Sequence, residues 1–246
     1  MELAVSDYEA VIDWMGEVIA ADARAYVTAA AVNLVMSAHE DANTRAAVLG
    51  ATLAVPDGQP LVWALRALGH SRATRIYGPD LMAHFCARAA AAGTPMYLYG
   101  GRTPQALETL EARLRERFPA IRIVGGYSPP FRELTADEED EVTDAIDRSG
   151  ATVVWVGIGQ PKQEQWMLRM RPRLAAPLLV GVGAAFDFHA GLVSQAPGWM
   201  QRRGLEWVYR LSREPRRLWR RYARYNPWFV ACFLRQYVAF RRQPRV

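Results

Sequence analysis

The chain has 246 residues, of which 51% are apolar, 22% charged and 11% aromatic, and its net charge is +5. That is enough apolar sequence to bury a substantial core in one large or two small domains, and it excludes a disordered tail protein and a disulfide miniprotein. The charge is uneven: from Gln201 to Val246 there are 13 arginines against two acids, a net +11, while the other 200 residues carry 17 basic and 23 acidic groups.

The N-terminus opens Met-Glu-Leu-Ala-Val-Ser-Asp, without a basic stretch leading into an apolar run, so no secretory leader is expected. Ser6 and Asp7 can cap a first helix, with Tyr8, Val11, Ile12, Met15, Val18 and Ile19 at helical spacing. Strands are predicted at Ala25–Thr28, Thr52–Val55, Met96–Tyr99, Ile121–Val124, Thr152–Val156 and Leu178–Val182, with helical stretches between them. Thr103-Pro104 opens one helix, and Thr135-Ala-Asp-Glu138 is a capping box for another. This alternation predicts an α/β fold, Rossmann-like, with a mostly parallel sheet covered by helices on both faces and ligands beyond the carboxyl ends of its strands.

Past Pro197 the character changes, so the chain divides into an α/β catalytic domain over 1–196 and a basic, aromatic-rich helical appendage over 197–246. Pro215 and Asn226-Pro227 are expected to split the appendage into helical pieces. Leu218, Tyr222, Tyr225, Phe229, Phe233 and Phe240 form an aromatic stripe, and Arg210, Arg213, Arg217, Arg220 and Arg224 a basic one. Together they describe a basic amphipathic element suited to a polyanionic partner. The longest uncharged stretches, such as Ala25 to Ala38, fall short of the roughly 18 residues of a membrane span. Cys86 and Cys232 lack metal-like or framework spacing. The expectation is a soluble, intracellular globular protein.

Several strand ends run into loops of small residues. Gly100-Gly101 ahead of Thr103-Pro104, and Gly157-Ile-Gly159 ahead of Lys162, can offer free backbone N–H groups to an anion. Neither is a dinucleotide fingerprint, and there is no P-loop. Asp57, between Pro56 and Gly58, reads either as a cap for the helix beginning near Pro60 or as a general base at a strand end. Asp187, flanked by Phe186 and Phe188, must be paired or serve a ligand. His189 reads as structural, and His39, His70 and His84 form no metal-ligand spacing with it. Arg75 reads either as a surface ion pair or as a phosphate clamp.

The ordered set of segments resembles the WecG/TagA/CpsF glycosyltransferases, glycosyltransferase family 26. The resemblance is carried by Pro56-Asp57-Gly58, Arg75-Ile-Tyr-Gly-Pro-Asp80-Leu, Leu98-Tyr-Gly-Gly101 and Val156-Gly-Ile-Gly-Gln-Pro-Lys-Gln-Glu164. It continues through Gly181-Val-Gly-Ala-Ala-Phe-Asp-Phe-His-Ala-Gly191, Ala196-Pro197, Gly204-Leu-Glu-Trp-Val-Tyr-Arg-Leu211 and Glu214-Pro215-Arg-Arg-Leu-Trp-Arg-Arg221. What it implies is an inverting, metal-independent transfer of a sugar, N-acetylmannosamine type, from a UDP-sugar to a polyprenyl-diphosphate-linked glycan. No cofactor or metal is implied. The setting would be cell-surface polysaccharide or teichoic acid assembly, at the inner face of the cell membrane.

The resemblance further implies that Asp57 is the base, with Thr28, Arg75 and Gln163 acting beside it. Asp187 would lie near the nucleotide, and Arg210, Arg217 and Arg220 would close over the site. Gly100, Gly101, Tyr127, Gly159 and Lys162 complete the expected substrate-binding set. The appendage would dock on anionic lipid. Ala30 stands where the family commonly has Asn, and Ser128-Pro-Pro-Phe131 where a Gly-Tyr-Phe type segment is frequent; both bear on sugar choice. UDP-glucose or UDP-glucuronate transfer is the alternative enzyme reading. A nucleic-acid-binding protein and a catalytically silent scaffold are the alternatives outside catalysis.

Overall fold

A computed structural model describes residues 2–242, with the side chain of Arg217 outside that description. Six strands form one parallel sheet: β1 (Ala25–Ala30), β2 (Leu53–Pro56), β3 (Pro95–Gly100), β4 (Arg122–Tyr127), β5 (Val153–Gly157) and β6 (Leu178–Gly181). Their order is β2-β1-β6-β5-β3-β4. The apolar runs that mark these strands are continuous because both faces are covered; β1 is buried at every position. All six expected strands are present.

One face carries α1 (Tyr8–Ala20), α5 (Gly78–Ala92) and α6 (Pro104–Arg117), packed on Val27, Leu98, Trp155 and Val180. The other carries α7 (Ala136–Arg148) and α8 (Lys162–Met170), packed on Tyr26, Tyr99, Val154 and Leu179. The helix starts follow local chemistry. Asp7 accepts from the Ala10 N–H, Thr103 caps α6, and Thr135 with Glu138 forms the expected capping box on α7. Beside this second layer lie α2 (Val32–Glu40), α3 (Ala42–Leu49) and α4 (Gln59–Ala67).

After β6 the chain forms α9 (Ala185–His189), α10 (Gly198–Arg202), α11 (Glu206–Arg213) and α12 (Pro215–Arg242). Pro215 begins α12 as expected, but Pro227 does not divide the appendage: it lies inside a continuous helix of 28 residues. An internal proline loses one hydrogen bond and crowds the carbonyl four residues back, at about 3 kcal/mol. Packing on both sides of it offsets that cost. Before it, Leu218 is buried and the Tyr225 hydroxyl donates to Glu40 (2.9 Å); after it, Phe229 packs against the cluster of Leu34, Val48 and Leu61.

Candidate active site

The sheet order creates a crevice. β3 leads outward through α6 to β4, whereas β5 leads the other way through α8 to β6, so the helices leaving β3 and β5 depart on opposite faces. Ligand sites in open α/β sheets form beyond such a reversal. Here Gly100 and Gly157 are paired in register at the two strand ends. Gly100 has φ 144°, and a Cβ on it would stand 2.6 Å from the Gly157 carbonyl, so only glycine permits this approach. The Gly101 N–H donates to the Gly157 carbonyl at 3.4 Å. The two glycine loops singled out from sequence therefore meet at one point.

Arg102, next in the chain, turns toward α9. Its Nε and Nη2 hold the Asp187 carboxylate at 3.0 and 2.9 Å, and Nη2 is 3.7 Å from Glu214. Asp187 is thus paired, which resolves the expectation that its apolar flanks required a partner. His189 contacts the Pro79 carbonyl at 2.9 Å, a contact between α9 and the start of α5.

At the other end of the same edge, Asp57 follows β2 and its N–H donates to the Ala30 carbonyl at 2.8 Å. It does not cap α4, whose start has no side-chain cap. Its Oδ1 instead accepts from the N–H of Gly78, the first residue of α5, at 3.3 Å. Arg75 wraps this turn. Its Nε donates to the Asp57 main-chain carbonyl (2.5 Å), and its Nη2 lies 2.6 Å from Glu206 and 3.9 Å from Asp57 Oδ1. The guanidinium carbon sits 4.1 Å over the Tyr77 ring. Arg75 is therefore neither a simple surface ion pair nor an unpaired clamp.

Burial pushes the Asp57 carboxyl up to about 7; Arg75, the Gly78 N–H and Arg210 pull against that rise, and Glu206 adds to it. Its side chain remains 22% exposed. A carboxylate titrating near neutrality within reach of solvent is matched to proton abstraction.

Beneath the edge lies a fully buried polar cluster. Thr28 on β1 donates its hydroxyl to Glu164 Oε1 at 2.8 Å, and Gln163 Nε2 donates to the same oxygen at 2.8 Å. Among the described residues Glu164 Oε2 and Gln163 Oε1 have no hydrogen-bond partner, and burial raises the Glu164 carboxyl to about 7. Thr28 and Gln163 are thus brought together, but below the surface that holds Asp57. Gly183 lies directly over Gln163, its Cβ position 3.6 Å from Oε1.

The remaining expected residues lie on β4, α8, α11 and α12. Lys162 is exposed at the first turn of α8, just after Gly159. Tyr127 ends β4, partly buried, its ring centroid 6.0 Å from that of Tyr99. Arg210, on α11, is close enough for its charge to act on Asp57 and Tyr77. Arg220, on α12, is exposed, its guanidinium over the Trp219 ring at 5.5 Å. Arg217 falls on α12, and its side chain lies outside the described residues.

A family model, "Glycosyl transferase WecG/TagA/CpsF family", matches residues 1–243. The chain belongs to that family. A glycosyltransferase must remove a proton from an attacking hydroxyl and stabilise a departing group, and the carboxyl edge holds chemistry for both. Sequence reasoning missed four groups of this glycosyltransferase's edge: Arg102, Glu164, Glu206 and Glu214. Two carried a signal, because Glu206 and Glu214 are the only acids after Gln201.

Proposed function

We propose that the protein is an inverting glycosyltransferase that moves a sugar, of N-acetylmannosamine type, from a UDP-sugar to a polyprenyl-diphosphate-linked glycan. The reading is carried by Asp57: a solvent-reachable carboxylate tuned to about 7, on the same strand-end edge as the glycine-lined crevice. β2 and β5 are three strand spacings apart, about 14 Å, a span suited to an extended nucleoside-diphosphate sugar. In this reading the nucleotide lies toward Gly100, Gly101, Gly159, Lys162 and Asp187, and the sugar reaches toward Asp57.

Asp57 takes the proton of the acceptor hydroxyl as its oxygen forms the bond to the anomeric carbon. The bond from that carbon to UDP breaks, and UDP leaves with the electron pair. The charge that develops on UDP falls to arginines and backbone N–H groups. Thr28 and Gln163 act from below, fixing the floor of the site. The appendage holds the enzyme at the inner membrane face, where a lipid-linked acceptor resides.

Thermal stabilisation by UDP and a panel of UDP-sugars, with magnesium or with EDTA, tests the assignment. A ligand at 100 times its Kd adds about 2.7 kcal/mol. The expected result is a shift with UDP that survives EDTA and grows with one UDP-sugar, naming the donor. No response to any uridine nucleotide, alongside a shift with another nucleotide, rejects the donor assignment.

A further inference from the structure

The arginine-rich segment after Gln201 contains two acids, and both turn back to arginines of the sheet's carboxyl edge. Glu206 pairs with Arg75, and Glu214 lies 3.7 Å from Arg102. They are eight residues apart, about 12 Å along a helical path, so α11 bridges the Asp57 end of the edge and the crevice. A segment that served only to meet an anionic surface would require neither acid.

The contact at Arg75 is uneven. Two carboxylates compete for one guanidinium: Nη2 is 2.6 Å from Glu206 and 3.9 Å from Asp57. A cation in direct contact with a carboxylate favours its ionised form and weakens it as a base. Among the described residues, the charged groups that act most on Asp57 are Arg75, ahead of α5, and Glu206 and Arg210 from α11, with Tyr77 and Tyr8 also coupled to it. Glu206 is the carboxylate of that set; Asp80 of α5 instead meets the Tyr8 hydroxyl at 3.4 Å.

We propose that Glu206 is a positioning residue for the transfer reaction: by taking the Nη2 contact of Arg75, it holds that guanidinium back from direct contact with the Asp57 carboxylate and leaves the carboxylate free to accept a proton. This rests on the reading of Asp57 as the base. The C-terminal segment then supplies a carboxylate to the site as well as arginines, and lifting α11 leaves Arg75 free to close on Asp57.

The test uses Glu206→Gln in the full chain, which keeps the side chain's size and an acceptor oxygen. Two quantities are measured: the pH dependence of kcat/KM, and the titration of the Asp57 carboxyl carbon by NMR in the free protein, which needs no substrate. The expected result is a midpoint lowered by about one pH unit or more in both. With it, kcat falls about tenfold while UDP affinity changes less than about twofold. Glu206→Asp keeps the charge and returns the midpoint toward that of the wild type. Glu214→Gln, in the same segment but at the Arg102 end, leaves the midpoint in place.

An unchanged midpoint in Glu206→Gln overturns the proposal. So does an equal shift in Glu214→Gln, which would assign the effect to the seating of α11. An NMR midpoint that shifts as expected while the kcat/KM profile stays in place rejects Asp57 as the base, and with it the positioning role, and leaves only the electrostatic contact of Glu206 with Arg75.

Discussion

Asp57, partly buried, and Glu164, fully buried, are both acids pushed up to about 7, yet they differ in what they touch. Asp57 reaches solvent and an arginine, whereas Glu164 is fully buried beside neutral groups, Thr28, Gln163 and Gln160. The Asp57 value predicts that kcat/KM rises with pH along a limb centred near 7, since the base acts when ionised. Asp57→Asn is expected to abolish transfer and leave the UDP-induced thermal shift nearly intact; wild-type turnover in that variant would remove Asp57 from the base role.

Glu164 makes a different prediction, on stability. Its native affinity for a proton is raised above that of the unfolded chain. Between the ordinary carboxylate range and about 7, the native state therefore binds more protons, and stability falls as pH rises through that window. Glu164→Gln lacks this titration while its Oε1 still accepts from Thr28. The melting temperature of the variant relative to the wild type should climb as pH increases from about 5 to about 8, by scanning calorimetry. A pH-independent difference would place the ionisation elsewhere.

At the scale of elements, the crevice depends on close backbone approach. Gly100→Ala forces a Cβ to within 2.6 Å of the Gly157 carbonyl at φ 144°, so its cost exceeds the roughly 1–3 kcal/mol of backbone strain alone. Gly159→Ala has φ 85° but nothing within 4 Å, so it bears the strain without the collision. The expected order of thermal stability is wild type, Gly159→Ala, then Gly100→Ala, with UDP stabilisation lost in the last. Equal melting temperatures for the two variants would argue against the close approach.

The local features of this fold are legible in the sequence. The strands, the α6 and α7 caps and the glycine loops are local signals, and each is where the sequence places it. What stayed hidden is non-local. Asp57 meets α5 instead of α4 because the end of β2 abuts the start of α5, and Thr28 finds Glu164 across 136 positions of chain. Local propensity also misjudged Pro227, whose penalty is outweighed by contacts that only the folded body supplies.

For the whole molecule, α12 is two-faced in a way the stripe pattern did not separate. The predicted aromatic stripe turns largely inward: Leu218 is buried, Tyr225 bonds Glu40 and Ser37, and Phe229 packs beside Leu34. A second row, Trp219, Val230, Leu234 and Val238, is about half exposed, and Arg216, Arg220 and Arg235 are exposed on the same helix. Among the described residues no helix is long and apolar enough to cross a membrane. An exposed apolar row with arginines suits the interfacial region of an anionic bilayer, where each arginine contributes about 1 kcal/mol. The inward contacts keep α12 attached to the sheet domain, and α11 ties its start to Arg75 and Arg102. In the proposed reading, membrane docking and site assembly share one segment. Val230→Asp with Leu234→Asp should release the protein from phosphatidylserine-containing vesicles in co-sedimentation, with UDP stabilisation unchanged. Undiminished vesicle binding in that double variant would assign the surface contact to another face.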